Sequence, residues 1–123
     1  MAHVSPELHR VLDSFNEWRG VVAEQWPDLD LYLLRSDDTK KSPGIQLLSR
    51  LEVDRFRTLT DTVAWHCTDL YPGGDPMVFE HVFQLILKAQ GHSGQRPDHD
   101  EVERAIHRAC YVIQRIEVTV LSR

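Results

Sequence analysis

Histidine, cysteine and aspartate side chains fall within four positions in one short stretch, His66-Cys67-Thr68-Asp69. Such residue types can coordinate a metal, and a Cys-His pair can act as a nucleophile with its base. The spacing argues against both uses, because adjacent residues on a helix do not face each other. Cys67 instead falls on the apolar stripe of a predicted helix, and His66 falls at the edge of that stripe. We therefore interpret Cys67 as a core thiol and His66 as a boundary residue.

A second group of potential metal ligands lies on the last predicted helix. Its members are His99, Glu103, His107 and Cys110. Their spacings of four, four and three residues place these side chains along one stripe beside the core face. Helical bundles build metal sites in this way, but a zinc site usually draws ligands from several elements, so His66, His81 or His92 would have to complete it. Neither H-E-x-x-H nor C-x-x-C occurs. A metal-binding protein or metal-dependent enzyme is therefore an alternative to solvated boundary residues, and our main interpretation has no cofactor.

Trp65 is unusual because a large aromatic side chain falls on a polar helix face. It projects almost opposite the apolar stripe, between Asp61 and Asp69 at spacings of four residues. Such a side chain either packs against another segment, for which residues 28–52 are the candidate, or anchors an interface. Asp61, Trp65 and Asp69 are accordingly candidate partner-binding residues.

Three arginines and a tyrosine share the face of the last helix that lies opposite its core side. They are Arg104, Arg108, Tyr111 and Arg115. Guanidinium groups beside an aromatic ring suit an acidic partner or a phosphate-bearing ligand. A solvated charged face is the ordinary alternative. We refer to these four residues as the arginine face.

Four segments with the apolar period of a helix position these residues. The segments run from about 6 to 26, from Asp54 to the Pro72-Gly73-Gly74 turn, from about 76 to 90, and from Asp98 almost to the C-terminus. Ser5, Asp54, Asp75 and Asp98 are the predicted caps, the last in a box-like start with Glu101. The widest apolar arc belongs to segment 76–90, so we place it at the centre, with the first and last helices against it. The alternating residues 116–120 also fit a short strand.

Residues 29–51 fit either a β-hairpin or two short helices, and leucine favours helices over strands there. We therefore predict a mainly α fold over residues 1–123, a single domain with a bundle of four to six helices. The alternative is an α+β fold with a small hairpin at 29–51.

Composition narrows the function classes. The 123 residues are 41% hydrophobic and 27% charged, with a net charge of -5 that disfavours a general nucleic-acid binder. No apolar run could span a bilayer, and the first residues lack the pattern of a signal peptide, so we expect a cytoplasmic protein with reduced thiols. No catalytic motif passes a spacing test.

These observations predict a small soluble regulatory or adaptor protein that binds another protein or forms a homodimer. An antitoxin or immunity-like inhibitor is compatible with this size and acidity. Apart from metal binding, the remaining alternative is recognition of a nucleotide or nucleic acid through the arginine face.

Overall fold

The computed structural model describes residues 5–26, 47–91 and 97–122, and it contains four α-helices with no strand in those ranges. The helices are α1 (Pro6–Gln25), α2 (Arg50–Leu70), α3 (Met77–Ala89) and α4 (His99–Leu121). The mainly α prediction is confirmed. Most of the predicted hairpin or helix pair at 29–51 lies outside the described residues, although its last positions, 50 and 51, belong to α2. No helix within the described ranges has the combination of length and apolar residues that a membrane span requires.

The first two helices begin at side-chain caps. The Ser5 hydroxyl accepts a hydrogen bond from the backbone N–H of Leu8, and proline follows at the first helical position, as predicted. The start predicted for α2 at Asp54 is wrong. Ser49 and Glu52 form a reciprocal capping box, which satisfies two backbone N–H groups and begins the helix about one turn earlier.

The two later helices also differ from prediction in detail. Pro76, rather than the predicted Asp75, occupies the cap position of α3, and the Oδ1 atom of Asp75 one residue earlier accepts a 2.9 Å hydrogen bond from the N–H of Met77. Asp98 occupies the cap position of α4 but makes no side-chain capping bond, which corrects the box predicted for it with Glu101. The segment 116–120 is helical rather than a strand, since its apolar residues continue the core face of α4.

The core is formed where α2 contacts the other three helices. Its buried side chains are Phe15, Trp18, Val22, Phe56, Val63, Cys67, Phe79, Val82, Phe83, Leu85, Ile86, Val102, Ile106, Ala109, Ile113 and Ile116, among others. The predicted centre, α3, packs on α2 and α4, and aromatic rings of α1 reach it. The sequence pattern did not indicate the central position of α2, which lies between α1 and α3 and also touches α4.

An aromatic cluster joins α1, α2 and α3. The ring of Trp18 lies edge-on to Phe79, with centroids 5.2 Å apart, and stacks near Phe56 at 6.1 Å. Its indole N–H donates a buried 3.1 Å hydrogen bond to the hydroxyl of Thr60 on α2. Ring pairs of this kind add to the free energy gained from burying their area. The hydrogen bond also fixes how α1 faces α2.

Three polar contacts connect segments that are far apart in sequence. The Nε2 of Gln90 donates to Oε1 of buried Gln25 at 2.7 Å, and its Oε1 accepts from the N–H of Leu48 at 2.6 Å. Gln90 thereby joins the end of α3 to the end of α1 and to the residues before α2. Buried Arg19 on α1 pairs with Glu117 on α4 at 3.2 Å.

Replacing Thr60 with valine tests the buried hydrogen bond. We expect Thr60→Val to lower the free energy of unfolding by about 1–3 kcal/mol, because the Trp18 N–H stays buried without an acceptor. Urea unfolding followed by circular dichroism measures this change. Thr58→Val is the matched control, since Thr58 is exposed on the same helix. Equal stability of the two variants would contradict the assignment.

Candidate functional site

The side of α2 that faces away from the core carries Asp61, Trp65 and Asp69. The buried residues of this helix are Phe56, Thr60, Val63 and Cys67. Trp65 lies opposite them on the helical wheel and remains 65% exposed. Asp61 and Asp69 are also exposed, one turn before and one turn after the indole. We call these three residues the Trp65 surface.

Trp65 makes its ring contact within the described residues with His66, in an edge-to-face arrangement with centroids 5.7 Å apart. A shallow depression beside it is lined by Thr58, Asp61, Thr62, Trp65 and His66. The segment considered as an intramolecular cover, residues 28–52, lies largely outside the described ranges. What the structure shows is an indole presented on a helix with carboxylates on both sides.

His66 connects this surface to the core. Its half-buried imidazole lies 6.4 Å from the ring of Phe15 on α1, measured between centroids. Burial lowers the pKa of His66 below its usual value, and the nearby Asp69 carboxylate opposes this shift. Its partner in the opening stretch, Cys67, is fully buried, and burial raises the pKa of its thiol. The core position predicted for Cys67 and the boundary position predicted for His66 are confirmed.

Arg57 on α2 contacts Asp61 at one end of the Trp65 surface. Arg57 donates two hydrogen bonds, of 2.5 and 3.0 Å, to the carboxylate of Glu80 on α3. Its guanidinium carbon lies 3.9 Å from the ring centre of Phe83. The same guanidinium contacts Asp61 at 3.2 Å. The hydrogen bonds from Arg57 lower the pKa of the Glu80 carboxyl, so the two side chains form an ion pair. Asp61 is thus partly neutralised, whereas Asp69 forms no salt bridge with the described residues.

A groove between α1 and α2 continues from the depression beside Trp65. It is lined by Ser14, Glu17, Asp54, Arg55, Thr58, Leu59 and Thr62. The two depressions share Thr58 and Thr62. Carboxylates outnumber the single arginine along this combined path. An extended or helical partner lying along α2 would therefore meet a mostly acidic surface with an indole at one end.

The arginine face occupies the outer side of α4. Arg104, Arg108, Tyr111 and Arg115 are all exposed, and Tyr111 retains 58% of its surface. The arginine face and the Trp65 surface lie on different helices, α4 and α2, and each is on the side of its helix that faces away from the buried residues. The structure therefore keeps the two candidate groups apart, with opposite charge on each.

The predicted metal stripe divides along α4. His99 and Glu103 are exposed, with the His99 Nε2 atom 3.7 Å from Oε2 of Glu103, while Cys110 is buried. Burial raises the pKa of the Cys110 thiol to about 11, which disfavours the thiolate that a metal requires. His107 is exposed beside Cys110 and Tyr111 in a small depression. Among the described residues, no three His, Cys, Asp or Glu side chains gather in a way that could hold a metal ion, and His66 joins no such cluster.

Sequence reasoning did not identify the ion pairs that support these surfaces. Arg57 and Glu80 are separated by 23 positions, and no local pattern indicates their pairing. Arg19 carried a partial signal, because it falls within the apolar arc of α1. In the structure Arg19 is buried and pairs with Glu117 of α4.

Removing the Asp69 carboxylate tests the electrostatics of this site. We expect His66 to titrate below the ordinary value of 6.5, and Asp69→Asn to lower its pKa further, because the opposing charge is lost. Nuclear magnetic resonance titration of the imidazole measures both values. Asp61→Asn serves as the control and should leave the His66 pKa unchanged. A rise in the His66 pKa in Asp69→Asn would contradict the assignment.

The lowered pKa has a defined consequence for stability. The folded state binds the His66 proton less readily than the unfolded chain does. Protonation of His66 is therefore less favourable in the folded state. The free energy of unfolding keeps the full contribution of neutral His66 above pH 6.5 and loses it as the pH falls through the lower folded pKa.

Comparison of the chain with protein-family models, with curated proteins and with solved structures gave no significant match.

Proposed function

We propose that this chain is a regulatory or adaptor protein that binds a basic segment of another protein through the Trp65 surface. The observation that carries this proposal is the position of Trp65, which is exposed on the outward side of α2 between two carboxylates. Tryptophan is among the residues that contribute most to binding at protein interfaces. Exposing it to water contributes nothing to the core.

The charges around Trp65 favour a cationic partner. Asp69 forms no salt bridge within the described ranges, whereas Asp61 forms one with Arg57. An arginine or lysine of a partner that lies over the indole face would gain a cation–π contact and would reach a carboxylate at the same time. Asp54 and Glu17, further along the groove, extend the acidic path.

The same charges disfavour a second copy of the chain as the occupant. A two-fold symmetric contact centred on Trp65 would bring the Asp61 and Asp69 carboxylates of both copies together. Like charges in an interface weaken association. We therefore favour a basic segment of a different protein over homodimer formation through this surface.

Tryptophan fluorescence gives a specific readout of binding. Trp18 is 0% exposed and Trp26 is 7% exposed, so Trp65 is the one tryptophan that solvent reaches freely. A tryptophan-free amphipathic peptide with arginine and leucine at helical spacing should shift the emission to shorter wavelength as the indole becomes covered. Asp69→Lys should lower the affinity for this peptide by about tenfold or more, because the attraction between Asp69 and the peptide's arginines becomes a repulsion.

Controls separate specific binding from general charge attraction. Asp13→Lys makes the same change of charge at an exposed position of α1 and should leave the affinity nearly unchanged. Trp65→Ala should abolish the spectral shift while thermal unfolding, followed by circular dichroism, changes little. Equal weakening by both lysine variants, or a large loss of stability in Trp65→Ala, would refute the proposal.

A further inference from the structure

The outer side of α4 has apolar residues in addition to its arginines. Val118 and Leu121 are 59% and 53% exposed, close to the value for Tyr111. Val118 lies seven residues after Tyr111, and Leu121 follows three residues later, so all three point to the same half of the helix. From Arg108 to Leu121 this strip is about 20 Å long at the rise of an α-helix.

The charges of this strip are concentrated at Arg108 and Arg115. Neither forms an ion pair with any residue in the described ranges, and both are exposed. Arg104 has acidic neighbours on its own helix, because Asp100 and Glu101 in the first turn of α4 lie one turn before it. The chain as a whole has a net charge of -5, so these two guanidiniums form a local basic site on an acidic protein.

The combination of apolar and basic residues distinguishes among anionic ligands. A nucleic acid or a nucleotide would engage the arginines through phosphate but would leave Val118 and Leu121 without an apolar complement. An amphipathic helix covers an apolar strip with residues at spacings of three and four, and its flanking carboxylates can reach guanidinium groups. The strip is long enough for such a helix of about 14 residues.

We propose that the outer side of α4 is a docking surface for an acidic amphipathic helix of another protein. The apolar side chains of that helix lie on Tyr111, Val118 and Leu121, and its carboxylates pair with Arg108 and Arg115. This surface is on α4 and is separate from the Trp65 surface on α2. The chain thus has two contact surfaces of opposite charge, which suits an adaptor that joins a basic and an acidic partner.

A labelled peptide tests this surface without knowledge of the natural partner. The probe is a fluorescein-labelled helix of about 15 residues with leucine and glutamate at amphipathic spacing. Fluorescence anisotropy should show saturable binding that weakens as salt increases, because the charges lie at the rim of the contact. Arg108→Glu should weaken binding about tenfold or more, and Val118→Ser should also weaken it. Arg10→Glu, the same change at an exposed position of α1, should have no effect.

Other occupants give different results with the same variants. Polyglutamate binding as tightly as the amphipathic peptide would mean that the apolar strip is not used, and this would overturn the proposal. Tighter binding of a single-stranded oligonucleotide would assign the surface to nucleic acid instead. Self-association that is lost in Arg108→Glu, measured by sedimentation, would assign it to a second copy. Absence of peptide binding up to about 1 mM would also overturn the proposal.

Discussion

The Trp18 indole fixes how α1, α2 and α3 pack together. Its ring packs against Phe79 of α3 and Phe56 of α2, and its N–H bonds to Thr60. A hydrogen bond needs a defined direction as well as proximity, so this contact sets the rotation of α2 about its own axis. Once Thr60 faces Trp18, the opposite side of α2 must face outward. Trp65 is on that opposite side.

Charged residues have two distinct roles in this bundle. Arg19 and Arg57 are used within the fold, where they pair with Glu117 of α4 and Glu80 of α3. Buried Arg19 needs such a partner because its charge loses its hydration, whereas Arg57 is only partly buried. Arg108 and Arg115 have no comparable partner in the described ranges and stay in solvent. The structure therefore separates arginines that hold helices together from arginines that are available to a ligand.

Periodicity in the sequence predicted the four helices well, because a core face repeats every three or four residues regardless of which helix it meets. The outward direction of Trp65 followed from the same period. Boundaries were less predictable: Asp54 and Ser49 are both suitable caps, and only the capping box with Glu52 selects Ser49. Pairings such as Gln25 with Gln90 depend on how helices meet, and residues 65 positions apart leave no local pattern.

We propose that Trp65 and Arg108 belong to separate protein-binding surfaces. Affinity capture from the cells that contain this protein, with quantitative mass spectrometry, compares the wild type with Trp65→Ala and Arg108→Glu. We expect each variant to lose a different partner: one with a basic segment for Trp65→Ala, and one with an acidic segment for Arg108→Glu. Identical partners at equal yield for all three proteins would contradict it.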